Sequence, residues 1–250
     1  MNIFTRAQRK LWRMLGLGEF LHLQNSVIEL NNIGELCKVF GWRLSPVLDD
    51  TKIHEFSYVE DVNERRIRDA ETLATVVRNT DPSVCLEIGT ADGHSTALMS
   101  LNASAQARIY TINIPLEEIL AGKGGELTTI ALEREKIGAY YRQRNLTNIT
   151  QILANTAYWK PDIGLIDVAF IDGCHDTKFV YNDTLKVLKN MKPGSFVLWH
   201  DFNLDLVRKY HWINSVCLGV EKLFTDGHIR GRVFHVRDSW IGVYRIEERI

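Results

Sequence analysis

Three short stretches hold residue types that can do chemistry. In "LEIGTADGHST" (86–96) the acidic Glu87 sits near the end of an apolar run, and Gly89 and Gly93 follow with three residues between them. Glycine serves where a chain turns tightly and lies close to a ligand, because a Cβ would clash there. In "VAFIDGCH" (168–175) an apolar run ends on Asp172, and His175 lies three residues further on; in "FVLWHD" (196–201) another run ends on His200 and Asp201. If the two runs are neighbouring parallel strands, about 4.8 Å apart, the carboxylates of Asp172 and Asp201 converge at one sheet edge. Such a pair suits Mg²⁺ or a similar hard cation. The ion would lower the pKa of a substrate hydroxyl and orient it. A neutral imidazole at His175, with an ordinary pKa near ~6.5, suits proton removal around neutral pH. His200 is either a third ligand, which would shift preference toward transition metals such as Mn²⁺, or a residue that supports the ligands from behind, or a core residue.

These residues need a scaffold that brings distant strand ends together. From Val84 onward, short apolar runs alternate with helical stretches, the pattern of βαβ units on a parallel sheet. The expected strands are 84–88, 107–113, 149–154, 167–172 and 195–200, with helices over 95–102, 115–144 (interrupted at "GKGG") and 177–191. "KPG" at 192–194 reads as a helix stop, and Asp183 as part of a solvated helix face. After a helix over 204–224, "RVFHV" and "WIGVYRI" alternate around a turn at Arg237 and Asp238, which predicts an antiparallel pair closing the sheet edge. The fold class is α/β: a Rossmann-like, doubly wound, mostly parallel seven-stranded sheet. The cofactor would then sit at the C-terminal edge of the strands near the switch point.

Residues 1–58 read as an N-terminal helical extension or cap, and 59–250 as the main domain, opening with a helix over 59–78. Phe4, Leu11, Leu15 and Leu17 lie at loose helical spacing among Arg6, Arg9, Lys10 and Arg13. Such a basic amphipathic start could lie on a membrane surface or pack on the domain or a partner subunit, which leaves a homo-oligomer open.

Net charge is −1, so no global basic field would gather nucleic acid. The four cysteines form no CxxC pair, which argues against a zinc knuckle or disulfide framework and fits a cytoplasmic setting. No run of 18 or more apolar residues predicts stable membrane insertion. The GxxxG spacing departs from the GxGxxG of nicotinamide sites and so disfavours an oxidoreductase.

From about residue 60 to 246 the chain resembles a class I S-adenosylmethionine-dependent methyltransferase, in particular the branch of macrolide-sugar O-methyltransferases and cephalosporin-hydroxylase-like proteins. "LEIGTADGHST", "IYTINIP", "ITQILANTAYW", "VAFIDGCHDTKFVYNDTLKVLKNMKPGSFVLWHDF" and the closing strands carry the resemblance, in the family's order. It implies methyl transfer to an oxygen of a small-molecule or sugar acceptor. It also implies that Glu87, Gly89 and Gly93 form the methionine-side turn, with Thr90, Ser95, Asn113, Asn155, Thr156 and Asp172 completing the cofactor site. His175 matches the family's general base. Asn113 and Asn155 stand where acidic residues are usual near the ribose and adenine, and a neutral amide makes the weaker hydrogen bond. A non-catalytic relative with a decayed site is the alternative. Tyr158 and Trp159 are candidates to cover the adenine. The "LEEILAGKGGELTT" insertion (116–129) and residues 1–60 are candidates to cap the acceptor.

Overall fold

Among the described residues, eight strands form one sheet. The computed structural model describes residues 19–48, 66–128 and 130–247. Its strands are β1 (Val27–Leu30), β2 (Val84–Ile88), β3 (Arg108–Asn113), β4 (Ile149–Leu153), β5 (Ile166–Ile171), β6 (Met191–Trp199), β7 (Val233–Val236) and β8 (Gly242–Arg245). Their order is β1-β7-β8-β6-β5-β2-β3-β4. The stretch from β4 to β6 is parallel throughout, with β8 antiparallel to both β6 and β7. From β2 the chain winds outward through β3 and β4, then returns to β5 on the other side of β2. That reversal opens a crevice between the C-terminal ends of β2 and β5, where open α/β sheets bind ligands.

The helices are α1 (Leu21–Ser26), α2 (Ile33–Phe40), α3 (Asp69–Thr80), α4 (His94–Asn102), α5 (Leu116–Leu120), α6 (Ala139–Gln143), α7 (Thr177–Leu188) and α8 (His211–Thr225). Apolar side chains of α7 and α8, among them Val180, Val187, Val220 and Leu223, pack one face of the sheet against Ile171, Trp199 and Tyr244. Leu73, Val77, Leu98 and Met99 of α3 and α4 pack the other against Cys85, Ile109, Val168 and Leu198. Burial on both faces is why the central strands read as continuous apolar runs rather than alternating ones.

Four elements differ from the sequence expectation. The N-terminal stretch is not wholly helical: "VIEL" (27–30) is extended and pairs in parallel with β7. The β7–β8 pair therefore does not close the sheet; β1 covers its edge and makes the eighth strand. Next, among the described residues of 115–144 only the two short helices α5 and α6 form. Gly122, Gly125 and Gly138 take positive φ of 72°, 84° and 68°, which breaks any continuous helix. "KPG" lies inside β6, since α7 has already ended at Leu188. Finally, Asp183 is buried, not solvated. The basic amphipathic start on Phe4 to Leu17, the 58/59 boundary and the first part of the 59–78 helix lie outside the described residues.

Candidate active site

Gly89 leaves β2 with φ +103° and donates its N–H to the Ile112 carbonyl at 2.8 Å, which fixes the turn against β3. A Cβ here would stand 1.9 Å from the carbonyl oxygen of Asp172. Glycine is thus demanded by the protein's own neighbouring backbone, whatever the cavity beside it holds. Gly93 enters α4 with φ +94°, and a Cβ there would meet the Tyr141 ring at 2.6 Å. Its requirement too is set by packing within the chain.

The carboxylate of Glu87 is fully buried and does not reach the cavity described below. Ser95 Oγ and Thr111 Oγ1 each donate to it at 2.5 Å, and Thr96 Oγ1 donates as well. Burial pushes the carboxyl up and the three hydroxyls oppose this, leaving it at about 7. Glu87 therefore ties β2 to β3 and to the first turn of α4.

Asp172 follows β5, and His200 and Asp201 follow β6, the strand paired with it. His175 arrives from the loop before α7. Their ligand-capable atoms all lie within 4.8 Å of one another. His200 Nδ1 is 3.0 Å from Asp172 Oδ1 and 3.4 Å from Asp201 Oδ2, and His175 Nε2 is 2.8 Å from Asp201 Oδ2. Burial alone would lower the pKa of both imidazoles, but the carboxylates of Asp201 and Asp172 outweigh it and raise both. Burial would likewise raise Asp201, and the two imidazoles hold it well below the usual carboxylate range. Asp201 takes φ +54°, a left-handed conformation that a non-glycine residue adopts at some cost. Strain of this kind concentrates at functional sites.

The Gly89 turn and this cluster open onto one cavity of about 950 Å³. That is the upper end of the range for small-molecule pockets, about 300–1,000 Å³. Thr90, Ser95, Asn113, Asn155, Thr156, Asp172, His175, His200 and Asp201 all line it; Glu87 and Gly93 stand behind the wall. Thr90 Oγ1 sits 2.7 Å from Thr111 Oγ1 and accepts from Gln151 Nε2. Asn113 accepts from the Ala91 N–H through Oδ1 and donates to the Ile114 carbonyl. Asn155 donates to Glu118 Oε2 at 3.0 Å and to the Lys123 carbonyl at 3.1 Å. Thr156 Oγ1 donates to the buried Asp183. Tyr158 is 73% exposed, and neither it nor Trp159 lines the cavity, so the adenine cover expected of them is not formed.

Several wall residues gave no signal in the sequence. Asp69, the first residue of α3, accepts from His200 Nε2 at 3.1 Å. Trp212 donates Nε1 to Asp201 Oδ1 at 3.3 Å. Tyr210 lies against both Trp212 and Trp240, with ring centroids 4.7 and 5.8 Å apart, and makes an aromatic end to the cavity. Gly124, Thr128, Ile130 and Leu132 form another wall, so the 116–129 insertion does border the cavity.

The cavity's glycine turn, parallel sheet and carboxylate ends match a known domain. Residues 86–202 match the family model described as "Methyltransferase domain". That stretch is similar to a methyltransferase domain. The match spans the Gly89 turn through Asp201, as the resemblance of the same segments implied. Solved structures share the fold of this chain. The O-methyltransferase NovP aligns with a TM-score of 0.58 at 13% identity, covering 78% of this chain and 90% of that one. TomG from Streptomyces achromogenes, an O-methyltransferase solved with S-adenosylmethionine (SAM), gives 0.52 at 14%, covering 86% and 96%. An O-methyltransferase from Bacillus cereus solved with S-adenosylhomocysteine (SAH) gives 0.50 at 13%, covering 96% and 97%. No curated protein matches the chain in sequence. Among the described residues, no helix is long and apolar enough to cross a membrane, and all four cysteines are free.

Proposed function

We propose that the protein transfers a methyl group from S-adenosylmethionine to a hydroxyl oxygen of a small molecule or sugar. One observation carries this reading: the Gly89 turn at the end of β2 and the Asp172, His175, His200 and Asp201 cluster at the ends of β5 and β6 share a single cavity. The SAM and SAH complexes of the O-methyltransferases that share the fold support it.

When bound, the cofactor supplies an electrophilic methyl group on a sulfonium. Thr90, Ser95, Asn113, Asn155 and Thr156 would receive it, since they line the cavity where β2, β3 and β4 end. Asn113 and Asn155 keep acceptor capacity beyond the bonds they make within the chain, because an amide oxygen has two lone pairs. The aromatic wall of Tyr210, Trp212 and Trp240 would receive the acceptor and place its hydroxyl over the cluster. Holding two reactants in line is itself worth several kcal/mol, on the order of 7 to 11 in favourable cases. The hydroxyl proton leaves toward the cluster, where His175 Nε2 and the Asp172 carboxylate face the cavity.

Asp172, Asp201 and His200 would hold a divalent ion, which when bound would lower the pKa of the hydroxyl. The residues fit such an ion, because two carboxylates and two imidazoles bring ligand-capable atoms within 4.8 Å of one another. The free cysteines and near-zero net charge suit a cytoplasmic enzyme of small molecules rather than one of nucleic acid.

Calorimetric titration with S-adenosylmethionine, followed by methyl transfer to a panel of hydroxylated acceptors, tests the reading. Saturable heat and a methylated ether product are expected. No heat at about 1 mM cofactor, an affinity too weak for use, would instead support a non-catalytic binding protein.

A further inference from the structure

We propose that the N-terminal strand β1 belongs to the site: its Glu29 acts through His235 and Ser239 on Asp69, and these four positioning residues set the orientation of the His200 ring. The consequence for turnover rests on the methyltransferase reading; the geometry does not.

None of the four lies within residues 86–202, the segment that matches the methyltransferase domain. The fold brings them together. Glu29 of β1 and His235 of β7 stand opposite each other in the parallel pairing, so their side chains share a face of the sheet. His235 Nδ1 lies 2.8 Å from Glu29 Oε2, and its Nε2 lies 2.7 Å from the Ser239 carbonyl oxygen. A carboxylate and a carbonyl only accept, so the ring donates at both ends and its plane is fixed. Ser239 carries the link onward, since its Oγ donates to Asp69 Oδ1 at 3.0 Å while the Trp240 N–H donates to the same oxygen at 2.7 Å. The other oxygen, Asp69 Oδ2, accepts from His200 Nε2 at 3.1 Å. His235, Ser239 and Asp69 are all buried, so none of these bonds is readily replaced by water.

Backbone bonds pin the same turn between β7 and β8. The Arg237 N–H donates to the Leu30 carbonyl at the end of β1, the Arg68 N–H to the Asp238 carbonyl, and the Phe202 N–H to the Trp240 carbonyl, at 2.8, 3.0 and 2.8 Å. Asp238 takes φ +63°, a left-handed conformation that persists where surrounding structure over-determines it. The turn is thus tied to β1, to the start of α3 and to the residue after Asp201. One contiguous path of hydrogen bonds runs from β1 to His200, the physical form that coupling between distant positions can take. At its end His200 Nδ1 stands 3.0 Å from Asp172 Oδ1 and 3.4 Å from Asp201 Oδ2, so a rotation of the ring moves the atom that faces both carboxylates. The Glu29 side chain is 58% exposed, and water can replace it in part. The effect of substitution should therefore grow along the path, from Glu29 to Ser239.

The test reads the His200 ring directly, in the full chain labelled with ¹⁵N and with no ligand added. Its ring-nitrogen signals, assigned by their loss in His200→Gln, are recorded for Glu29→Ala, Glu29→Gln and Ser239→Ala. They should move in Ser239→Ala, move less in Glu29→Ala, and return toward the parent in Glu29→Gln, whose amide oxygen still accepts from His235. In methyl-transfer assays Ser239→Ala should lower kcat about tenfold, the worth of one hydrogen bond to a charged group, and Glu29→Ala about two- to fivefold. Affinity for S-adenosylmethionine should not change in either. His200 signals that match the parent in both alanine variants would overturn the proposal, as would signals that move while kcat stays at the parent value. Should Ser239→Ala fail to fold, Glu29→Ala and its recovery in Glu29→Gln decide alone. Failure of the parent chain to bind S-adenosylmethionine would sink the methyltransferase reading, and the His200 signals would still decide this one.

Discussion

The carbonyl oxygen of Asp172 occupies the space where a side chain on Gly89 would begin, 1.9 Å from an ideal Cβ. The Gly89 turn after β2 and the segment of Asp172 after β5 are thus one mechanical unit, and neither can shift without the other. Gly89→Ala is expected to cost about 3 kcal/mol or more, from overpacking together with the positive φ, and to abolish cofactor binding. Gly164 is the control: its φ is +80° but nothing lies within 4 Å, so Gly164→Ala should cost only about 1–2 kcal/mol. Urea melts of the two variants side by side check the contrast, and equal costs would refute the coupling.

Glu87 meets three hydroxyls that all donate to it. An amide has one oxygen, so Glu87→Gln would leave at least one buried hydroxyl poorly matched. A loss of about 1–3 kcal/mol is expected. Because the side chain lies outside the cavity wall, the effect on cofactor affinity should be smaller than that of Gly89→Ala. A stable Glu87→Gln protein that has lost cofactor binding would show that this carboxylate acts on the ligand and not on the turn.

Much of this arrangement was legible beforehand, for a physical reason. Asp172, His175, His200 and Asp201 lie at or just past the ends of continuous apolar runs, and parallel pairing of those runs forces their ends together. The β1 strand was not legible, because four residues between helical stretches carry too little periodicity to reveal a partner some two hundred residues away. Asp69 was hidden in the same way: it reads as one charge in a charged helix, and only the fold brings it to His200. The glycines were legible as tight-turn positions, but the atoms that would meet a Cβ there, the Asp172 carbonyl and the Tyr141 ring, were not, because both come from segments distant in sequence.

Two buried carboxyls should make stability depend on pH. Burial raises Glu87 and Asp183 to about 7, against ordinary values of 4.5 and 3.8. Between those ordinary values and about 7 the folded chain holds protons that the unfolded chain has released. Stability from these groups is therefore full below about pH 4 and lost as pH rises through about 7. Thermal melts should show Tm falling from about pH 5 to 8, with a shallower fall in Asp183→Asn. An unchanged slope in that variant would remove Asp183 from the account.

Trp212 reaches Asp201 from α8 with an indole N–H at 3.3 Å. Trp212→Phe keeps the aromatic surface beside Tyr210 but removes the donor that orients the carboxylate. A hydrogen bond to a charged group is worth about 1.5–3 kcal/mol; stretched and partly exposed to the cavity, this one should count for less, roughly fivefold in kcat. Cofactor affinity should not change, since the residue lies at the aromatic end of the cavity. Steady-state kinetics with separate kcat and KM decide it: a change confined to the KM for cofactor would place Trp212 elsewhere in the mechanism.

Asn155 stands where the resemblance implies an acidic residue, and the substitution of amide for acid invites the reading that the site has decayed. The surroundings argue otherwise. Asn155 Nδ2 donates to both the Glu118 carboxylate and the Lys123 carbonyl, and its Oδ1 accepts from the Ala157 N–H. It is the clasp between the end of β4 and the α5 insertion, and only an amide can donate and accept there. An aspartate would lose both donated bonds and set two carboxylates about 3 Å apart. Asn155→Asp should therefore weaken cofactor binding, by about tenfold from one unmatched buried group, although it restores the family's usual residue. Glu118→Gln in the same chain should recover part of the loss by removing the facing charge and offering an amide donor. Calorimetry with S-adenosylmethionine on the single and double variants measures both steps. A gain in affinity for Asn155→Asp alone would mean that the amide is a defect and not an adaptation to the insertion.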